Sequence, residues 1–338
     1  MKDIVGKILE GEILTDEDAA ALVAYLTGSE LDPALAAAAL AGLRTRGETA
    51  GEVRVFAKSL QEQAVRPQIA DVSRVVDVVG TGGDSSGSLN LSTGAALLAA
   101  AAGAQVVKHG NRSVSSRSGS FDVLTALGLD VPWDSARAGQ VFAETGFTYL
   151  FAPTFHPAMR AVAPVRQSMG ARTIFNLVGP LANPARAPYL VVGAFSEEAA
   201  RMMADTLAGM EISRAFVVHG EPGWDEPTPV GPYLLLDVTP GSVEAGVEDP
   251  AELGLDRCDP ADLIGGDPAG NAEAIRRVFH GETGPHRNAL VLGASLALRV
   301  TGTPPEQALE TAATAIEDGS AAELLSRLST SSEEAVGV

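Results

Sequence analysis

The segment from residue 75 to residue 128 constrains the fold more than any other part of the chain. Its first apolar run, residues 75–79, ends in the glycine-rich turn GTGGD (80–84), and an alanine-rich stretch of helical composition follows. A second apolar run, residues 104–107, leads into KHGNR (108–112) and a serine-rich loop. Because α/β proteins bind anions where strands end and helices begin, this order predicts an anion site at one edge of a sheet.

Acidic residues are distributed unevenly along the chain. The chain has 43 Asp and Glu residues and a net charge of -19, yet none of these acids lies within residues 85–121 or 145–196. Both stretches keep basic side chains, among them Lys108, Arg112 and Arg166. Because a positive cleft in an acidic protein favours a bound polyanion, the two stretches predict one shared electropositive cleft.

Composition limits the class of protein. With 338 residues and 46% hydrophobic content, the chain can bury one large core, or a large and a small one. The N-terminal stretch MKDIVGKILEGE has no apolar signal core, and the single cysteine, Cys258, excludes an internal disulfide. We therefore expect a cytoplasmic protein with no membrane segment. A pI near 4.6 argues against a nucleic acid as the main partner, since phosphate contacts dominate such binding.

Helix and strand patterns predict two domains. Residues 1–70 are expected to be helical, with helix starts at Thr15, at Asp32 and at a capping box that begins with Thr49. Residues 75–330 alternate between strand-like and helix-like runs, and residues 331–338 form a tail. The fold class predicted is α/β: a small N-terminal helical domain plus a large α/β domain whose mostly parallel central sheet is flanked by helices.

Individual elements of the large domain are also predicted. Strands are expected at 75–79, 105–108, 149–151, 189–192, 215–219 and 233–238, and helices at 92–102, 118–127, 134–144 and 197–210. Residues 155–170 are expected to form one helix with Pro157 at its start, and residues 269–328 are expected to be helical again.

The glycine-rich turn carries little information by itself, because glycine is the usual residue of any tight turn. The turn matches neither the dinucleotide pattern GxGxxG nor a phosphate loop that ends in Lys-Ser/Thr. However, Asn90, Ser92 and Thr93 open the next helix, and the loop from Lys108 to Ser120 adds a lysine, an arginine and several serines. Since lysine, hydroxyls and backbone N–H groups all donate to phosphate, a phosphate site is favoured over a plain loop.

Two adjacent acids, Asp225 and Glu226, follow the strand predicted at 215–219. Magnesium takes one or two carboxylates together with phosphate oxygens and waters, so this pair is a candidate magnesium site beside a polyphosphate. The histidines do not form a spaced metal-ligand set, and Cys258 lies among acids that disfavour a thiolate.

The motifs GTGGD, NLST, KHGNRSVSS and RTIFNLVGPLANP, followed by the DE pair, resemble those of the anthranilate phosphoribosyltransferase family in order and spacing, over residues 3–330. The resemblance implies transfer of the phosphoribosyl group of phosphoribosyl pyrophosphate to the amine of anthranilate, giving N-(5-phosphoribosyl)anthranilate and pyrophosphate, in tryptophan biosynthesis. It implies a fold of the nucleoside phosphorylase/phosphoribosyltransferase type, with the active site in a hinge cleft and residues 157–185 returning to the helical domain. It also implies a cytoplasmic homodimer formed through that domain, and two bound Mg²⁺ ions.

The resemblance further implies roles for individual residues. The phosphoribosyl donor would be bound by Gly80, Gly83, Asp84, Ser88, Asn90, Leu91, Ser92, Thr93, Lys108, His109, Gly110, Asn111, Arg112, Ser113, Val114, Ser115, Ser116 and Ser120. Anthranilate would be bound by Gly80, His109, Asn111, Arg166 and Gly179, and magnesium by Ser92, Asp225 and Glu226. Ser88 replaces the family's threonine and keeps the hydroxyl, while Phe121 replaces a small residue and the loop before Asp225 is slightly longer.

No residue is implied as a general acid or base, because the amine of anthranilate is unprotonated at neutral pH. Two other functions remain possible at this stage. A pyrimidine nucleoside phosphorylase shares the fold class but would use phosphate and lack both KHGNR and the acid pair. A non-catalytic nucleic-acid-binding relative would need a basic surface, which the pI opposes.

Overall fold

The computed structural model describes residues 1–84, 86–112 and 118–333. Its N-terminal part consists of helices α1 (Lys2–Leu9), α2 (Asp16–Leu26), α3 (Pro33–Arg46) and α4 (Ala50–Gln63). The predicted helix starts are confirmed, because Thr15, Asp32 and Thr49 each accept hydrogen bonds from N–H groups of the first turn. These side chains satisfy donors that have no partner within a helix.

A seven-stranded sheet forms the centre of the remaining chain. Its strands are β1 (Val75–Gly80), β2 (Gln105–Gly110), β3 (Phe147–Phe151), β4 (Tyr189–Gly193), β5 (Arg214–Gly220), β6 (Tyr233–Thr239) and β7 (Ser242–Glu248), in the spatial order β3-β2-β1-β4-β5-β6-β7. Strands β1 to β5 are mutually parallel, whereas β6 and β7 each run antiparallel to the strand before. The mostly parallel sheet is therefore confirmed, and the carboxyl ends of β2, β1, β4 and β5 lie side by side.

The edge strand β7 was not predicted. Its sequence, SVEAGVE, is mostly exposed in the structure and holds few apolar residues. An edge strand that buries little apolar surface carries a weak sequence signal, so its pairing with β6 becomes visible only in the sheet.

Helices cover both faces of the sheet. They are α5 (Leu91–Ala101), α6 (Ser120–Ala126), α7 (Ser135–Thr145), α8 (Ala152–Phe155), α9 (Ala163–Met169), α10 (Phe175–Val178), α11 (Glu197–Ala208), α12 (Pro268–Phe279), α13 (Pro285–Val300), α14 (Pro305–Glu317) and α15 (Ser320–Glu333). Short 3-10 turns span Pro157–Arg160, Gly179–Leu181, Pro250–Leu253 and Pro260–Leu263.

The prediction of a single helix at residues 155–170 is wrong. The structure has a 3-10 turn at Pro157–Arg160 and a separate helix, α9, at Ala163–Met169. Pro164 lies in the first turn of α9 and has no N–H to continue a preceding helix, so the chain starts again there. Gly170 ends α9 with a φ of 56°, in the left-handed region that glycine favours.

Two hydrophobic cores lie on opposite faces of the sheet. Val191 of β4 belongs to the core shared with α5 and α12–α15, whereas its neighbours Leu190 and Val192 belong to the core shared with α1–α4 and α11. This alternation is the period-two pattern of a strand buried on both faces. The segment that holds Val165 and Phe175 packs into the second core, where the Phe175 ring lies 5.8 Å from that of Phe56.

Candidate active site

A cavity of about 880 Å³ opens where β1 and β2 end, between the sheet and residues 152–182. Both acid-free stretches contribute to its wall, as does the loop after β5. The predicted site residues that line it are Gly80, Gly83, Asp84, Ser88, Asn90, Leu91, Ser92, Thr93, Lys108, His109, Gly110, Asn111, Arg112, Ser120, Arg166, Gly179, Asp225 and Glu226. Ser113, Val114, Ser115 and Ser116 lie outside the described residues. One cavity thus collects motifs that are far apart in the sequence.

The glycine-rich turn wraps around the side chain of Asp225. The Gly82 N–H donates to Oδ2 of Asp225 at 2.6 Å, and both Gly82 and Gly83 have positive φ angles, 63° and 73°. A residue with a side chain would be strained in this conformation. Glycine thus allows the backbone to turn so that the Gly82 N–H faces Asp225.

The acidic pair lies between β1 and the start of α5, with Asp225 buried and Glu226 half-buried. Glu226 Oε1 accepts from the backbone N–H of Ser92 at 3.0 Å, at the positive end of the helix dipole. Burial, with the nearby Asp84 carboxylate, raises the pKa of Asp225 to about 7. Burial, with the Asp225 carboxylate, raises the pKa of Glu226 to about 8. Crowded acids of this kind favour a bound cation.

The oxygen donors around this pair fit magnesium. Asp225, Glu226 and the Ser92 hydroxyl supply hard oxygen ligands on one side of the cavity. No three His, Cys, Asp or Glu side chains converge as a ready-made metal cage within the described ranges. Mg²⁺ does not require one, since it commonly takes one or two carboxylates and completes its shell with phosphate oxygens and water.

Lys108 faces the acidic pair from the neighbouring strand. Its Nζ donates to the carbonyl of Val78 at 2.6 Å and to Oγ of Ser92 at 3.4 Å, although only 2% of the residue is exposed. Burial lowers the pKa of Lys108, while Asp77, Glu226 and Asp225 act to raise it. Ser92 therefore lies between an ammonium group and a carboxylate, an arrangement suited to a ligand that carries both phosphate and metal.

Asp77 is a buried carboxylate that the sequence interpretation missed, because it sits inside the apolar run VVDVV. Its Oδ1 accepts from the His109 N–H at 3.1 Å, and its Oδ2 accepts from Nδ2 of Asn183 at 2.8 Å. Asn183 also donates to the carbonyl of Val107. A charged residue within a buried strand was the available signal, and the contacts place Asp77 beneath the end of β2.

Two histidines that line the cavity, His109 and His156, have their rings close together. The rings of His109 and His156 lie 5.1 Å apart, and Nε2 of His156 contacts the Ala182 carbonyl at 3.0 Å. Burial, followed by the effect of His156, lowers the pKa of His109 well below its ordinary value. Burial also lowers the pKa of His156, so both rings favour the neutral form and suit an uncharged aromatic group better than a phosphate. His156 was not among the predicted site residues.

Arg166 lines the cavity, and Arg172 contacts its glycine-rich turn. The Arg166 guanidinium lies 5.2 Å from the ring centroid of Phe175, and burial lowers its pKa. Arg172, which was not predicted as a site residue, donates to the Gly83 carbonyl and stacks 3.6 Å from the ring centroid of Phe195. The segment after β3 thus supplies positive charge to the glycine-rich turn and to the opposite wall.

Phe121, which replaces a small residue of the family, packs outside the lining of the cavity. Its ring is buried against Phe151, at 4.4 Å between centroids, and does not line the cavity. The Arg112 guanidinium lies over it at 4.5 Å from the centroid. Phe121 therefore packs against the Arg112 guanidinium and helps to hold it in place.

Two family models match the chain. The one described as "Glycosyl transferase family, helical bundle domain" matches residues 2–64, and the one described as "Glycosyl transferase family, a/b domain" matches residues 72–322. An anthranilate phosphoribosyltransferase of Desulforudis audaxviator is 42% identical over 97% of this chain and 95% of its own length. That of Rubrobacter xylanophilus is 41% identical, over 97% of this chain and 96% of its own.

The chain belongs to the anthranilate phosphoribosyltransferase family. The crystal structure of the family member from Thermus thermophilus superposes with a TM-score of 0.91 at 40% identity, covering 98% of this chain and 99% of that one. The Saccharomyces cerevisiae member in complex with PRPP and Mg gives a TM-score of 0.88 over 98% of this chain and 97% of that one, and at 23% identity this likeness shows the fold.

Family membership identifies the chain as an enzyme that transfers a phosphoribosyl group to anthranilate in tryptophan biosynthesis. The phosphorylase and the non-catalytic nucleic-acid-binding protein are thereby set aside. Within the described residues, no helix is long and apolar enough to cross a bilayer.

Proposed function

We propose that this cavity binds phosphoribosyl pyrophosphate, Mg²⁺ and anthranilate together and transfers the phosphoribosyl group to the amine of anthranilate. One observation carries the proposal: Lys108 and Glu226 both contact Ser92 at the start of α5. Ser92, at the N-terminus of a helix, is therefore contacted by both an ammonium group and a carboxylate. This combination of groups suits a pyrophosphate that carries bound magnesium.

The donor would lie along the glycine-rich turn and the start of α5. Ser92, Thr93 and Lys108 line the cavity, so the two hydroxyls would donate to phosphate oxygens and Lys108 would add charge. The remaining proposed donor contacts are those with Asp84, Ser88, Asn90, Leu91, His109, Gly110, Asn111, Arg112 and Ser120 in the described part, and with residues 113–116 beyond it.

Magnesium would be held by Ser92, Asp225 and Glu226, as two ions. When bound, it would neutralise the charge that grows on the departing pyrophosphate. Glu226 already contacts the Ser92 N–H, so its carboxylate can stay at the helix start while its other oxygen faces a cation.

Anthranilate would lie near the histidine rings, against Gly80, His109, Asn111, Arg166 and Gly179. The Arg166 guanidinium would pair with its carboxylate, since arginine binds carboxylates with two parallel hydrogen bonds. Neutral His109 would contact the aromatic side without repelling the amine.

The side chains of the cavity would promote the transfer by positioning the two substrates and by stabilising charge. The amine of anthranilate is a neutral nucleophile, so no side chain needs to remove a proton before attack. Charge develops on the pyrophosphate as its bond to C1 breaks, and Lys108 would stabilise that charge. The two walls would bring amine and C1 together.

The domain division and assembly are part of the proposal. Residues 1–70 would form the small domain, joined by the segment 157–185, and residues 75–330 the large domain. Leu9 and Ile13 are each 66% exposed on the helical part, which supports a homodimer formed through that surface. A cytoplasmic location would fit this biosynthetic reaction.

The test is an assay of the purified chain with anthranilate, phosphoribosyl pyrophosphate and MgCl₂. We expect anthranilate fluorescence to disappear with release of one equivalent of pyrophosphate, and expect no reaction with EDTA or without the donor. Phosphate-dependent cleavage of a pyrimidine nucleoside, with anthranilate left unchanged, would contradict the proposal. 4-Aminobenzoate serves as the control acceptor, because its carboxylate lies on the far side of the ring.

A further inference from the structure

A chain of amide hydrogen bonds crosses the rim of the cavity, from the loop before α12 to the end of the β2 loop. Gly266 N–H donates to Oδ1 of Asn271 at 2.6 Å, and Asn271 Nδ2 donates to Oδ1 of Asn90 at 2.8 Å. Asn90 Nδ2 in turn donates to the carbonyl of Ser118 at 3.0 Å. Asn271 is 3% exposed, so its amide is satisfied by protein groups in this chain.

The orientation of both amides follows from the first bond. A backbone N–H can only donate, so the atom of Asn271 that faces Gly266 must be the oxygen, and its Nδ2 must face Asn90. Asn90 must then present its oxygen to Asn271, which leaves its Nδ2 facing Ser118. An amide nitrogen carries two hydrogens, so Nδ2 of Asn90 can donate to Ser118 and also to a phosphate oxygen.

Asn90 does not use its side chain as a helix cap. It precedes α5, the position where asparagine commonly accepts from the first-turn N–H groups, yet it makes no side-chain cap hydrogen bond. Its oxygen is held by Asn271 instead. The first-turn N–H of Ser92 is thereby left to Glu226.

Backbone hydrogen bonds also fix the loop before α12 against residues 87–89, which precede α5. Leu89 N–H donates to the Leu263 carbonyl at 2.9 Å, and Gly265 N–H donates to the Gly87 carbonyl at 2.8 Å. A Cβ on Gly265 would lie 2.7 Å from the Ser88 carbonyl oxygen, so glycine permits this close approach. Asn271 is therefore set at a defined distance from Asn90.

We propose that Asn271 is a positioning residue of the donor site: it acts through Asn90, whose amide it orients so that Nδ2 faces Ser118 at the end of the loop after β2. This inference rests on the proposed function, since it requires Asn90 to contact the phosphoribosyl donor. Asn271 lies far from every other motif of the site in sequence.

The test is a double-mutant cycle with Asn271→Asp and Asn90→Ala. In Asn271→Asp the carboxylate still accepts from Gly266, but both of its oxygens are acceptors, so the Asn90 amide must turn and face Ser118 with its oxygen. We expect KM for phosphoribosyl pyrophosphate to rise about tenfold, the effect of one lost hydrogen bond, while KM for anthranilate stays within about twofold. We expect Asn271→Asp to add no further loss to Asn90→Ala.

Asn288→Asp is the matched control. Asn288 is the fourth residue of α13 as Asn271 is of α12, both helices begin with proline, and Asn288 does not line the cavity. A new carboxylate in the first turn stabilises either helix by a similar amount, so the control removes the effect of charge on the helix. We expect its KM values to equal those of the wild type.

The inference would be overturned if the increase in KM for phosphoribosyl pyrophosphate in the double variant equalled the product of the increases in the two single variants. An unchanged KM for this donor in Asn90→Ala would also overturn it. If Asn271→Asp does not fold, the cycle is repeated with Asn271→Ala, where the same non-additivity is expected. Affinity for phosphoribosyl pyrophosphate, measured by calorimetry, gives the same cycle without turnover. Wild-type product formation tests the proposed function separately, so the two failures are distinguishable.

Discussion

Asn183 donates a hydrogen bond from Nδ2 to Oδ2 of Asp77 at 2.8 Å in the middle of the sheet. The bond joins the last motif of the acid-free segment, LANP, to the first strand of the sheet, and the other oxygen of Asp77 holds the backbone of His109. Burial raises the pKa of Asp77 to about 6, although Lys108 acts in the opposite direction. A structural carboxylate therefore underlies the residues proposed to bind both substrates.

Replacement of Asp77 by asparagine should remove a pH dependence of stability. Between the ordinary carboxyl pKa of 3.8 and about 6, the folded wild type binds more protons than the unfolded chain, so its stability falls as pH rises through this window. The free energy of unfolding of Asp77→Asn relative to the wild type should rise by up to about 1.4 kcal/mol per pH unit there, and then stay level. Urea unfolding at several pH values measures this difference. Parallel pH profiles for the two proteins would show that Asp77 does not titrate there.

The acidic pair should control magnesium dependence without supporting the fold. The double variant Asp225→Asn and Glu226→Gln removes both carboxyl groups, whose pKa values are raised, and keeps an acceptor for the Ser92 N–H. We expect turnover to fall at least about 100-fold, as for loss of a charge-stabilising group, with no loss of thermal stability. Steady-state rates over a MgCl₂ titration check this. Glu197→Gln with Glu198→Gln, an adjacent acid pair at the start of α11, is the control. Full activity in the Asp225 and Glu226 variant would refute the metal assignment.

Arg166 should affect the acceptor far more than the donor. Its guanidinium lies over Phe175, and both residues line the cavity. Arg166→Ala should raise KM for anthranilate about tenfold or more, the effect of losing a charge-assisted hydrogen bond, and leave KM for phosphoribosyl pyrophosphate within about twofold. Initial rates with each substrate varied in turn provide the comparison. Equal effects on both KM values would reassign the residue to a general role in the cavity.

Gly193 should be required for the close approach of the acidic pair to β4. A Cβ at this position would lie 1.6 Å from the backbone oxygen of Asp225, so alanine forces that loop to move. Gly193→Ala should lose about 1–3 kcal/mol of stability, as overpacked sites do, together with magnesium-dependent activity. Gly6→Ala is the control, because nothing lies within 4 Å of its added Cβ and helical alanine is favoured by about 0.5–1 kcal/mol. Calorimetric unfolding of both variants decides the matter, and an unchanged Gly193→Ala protein would contradict the packing argument.

The sequence determined the local parts of this protein. Helix caps, apolar runs and glycine-rich turns depend on neighbours within a few residues, so the Thr15 cap, the GTGGD turn and the strands β1 to β6 could be predicted. Only the tertiary structure decided which distant residues meet. Asp77 lies inside an apolar strand pattern, and Asn271 and His156 carried no local signal, because their partners depend on strand order and on how the segment after β3 folds back. Periodicity reports which face of an element is buried, whereas the groups that share a buried hydrogen bond are fixed by packing over long sequence distances.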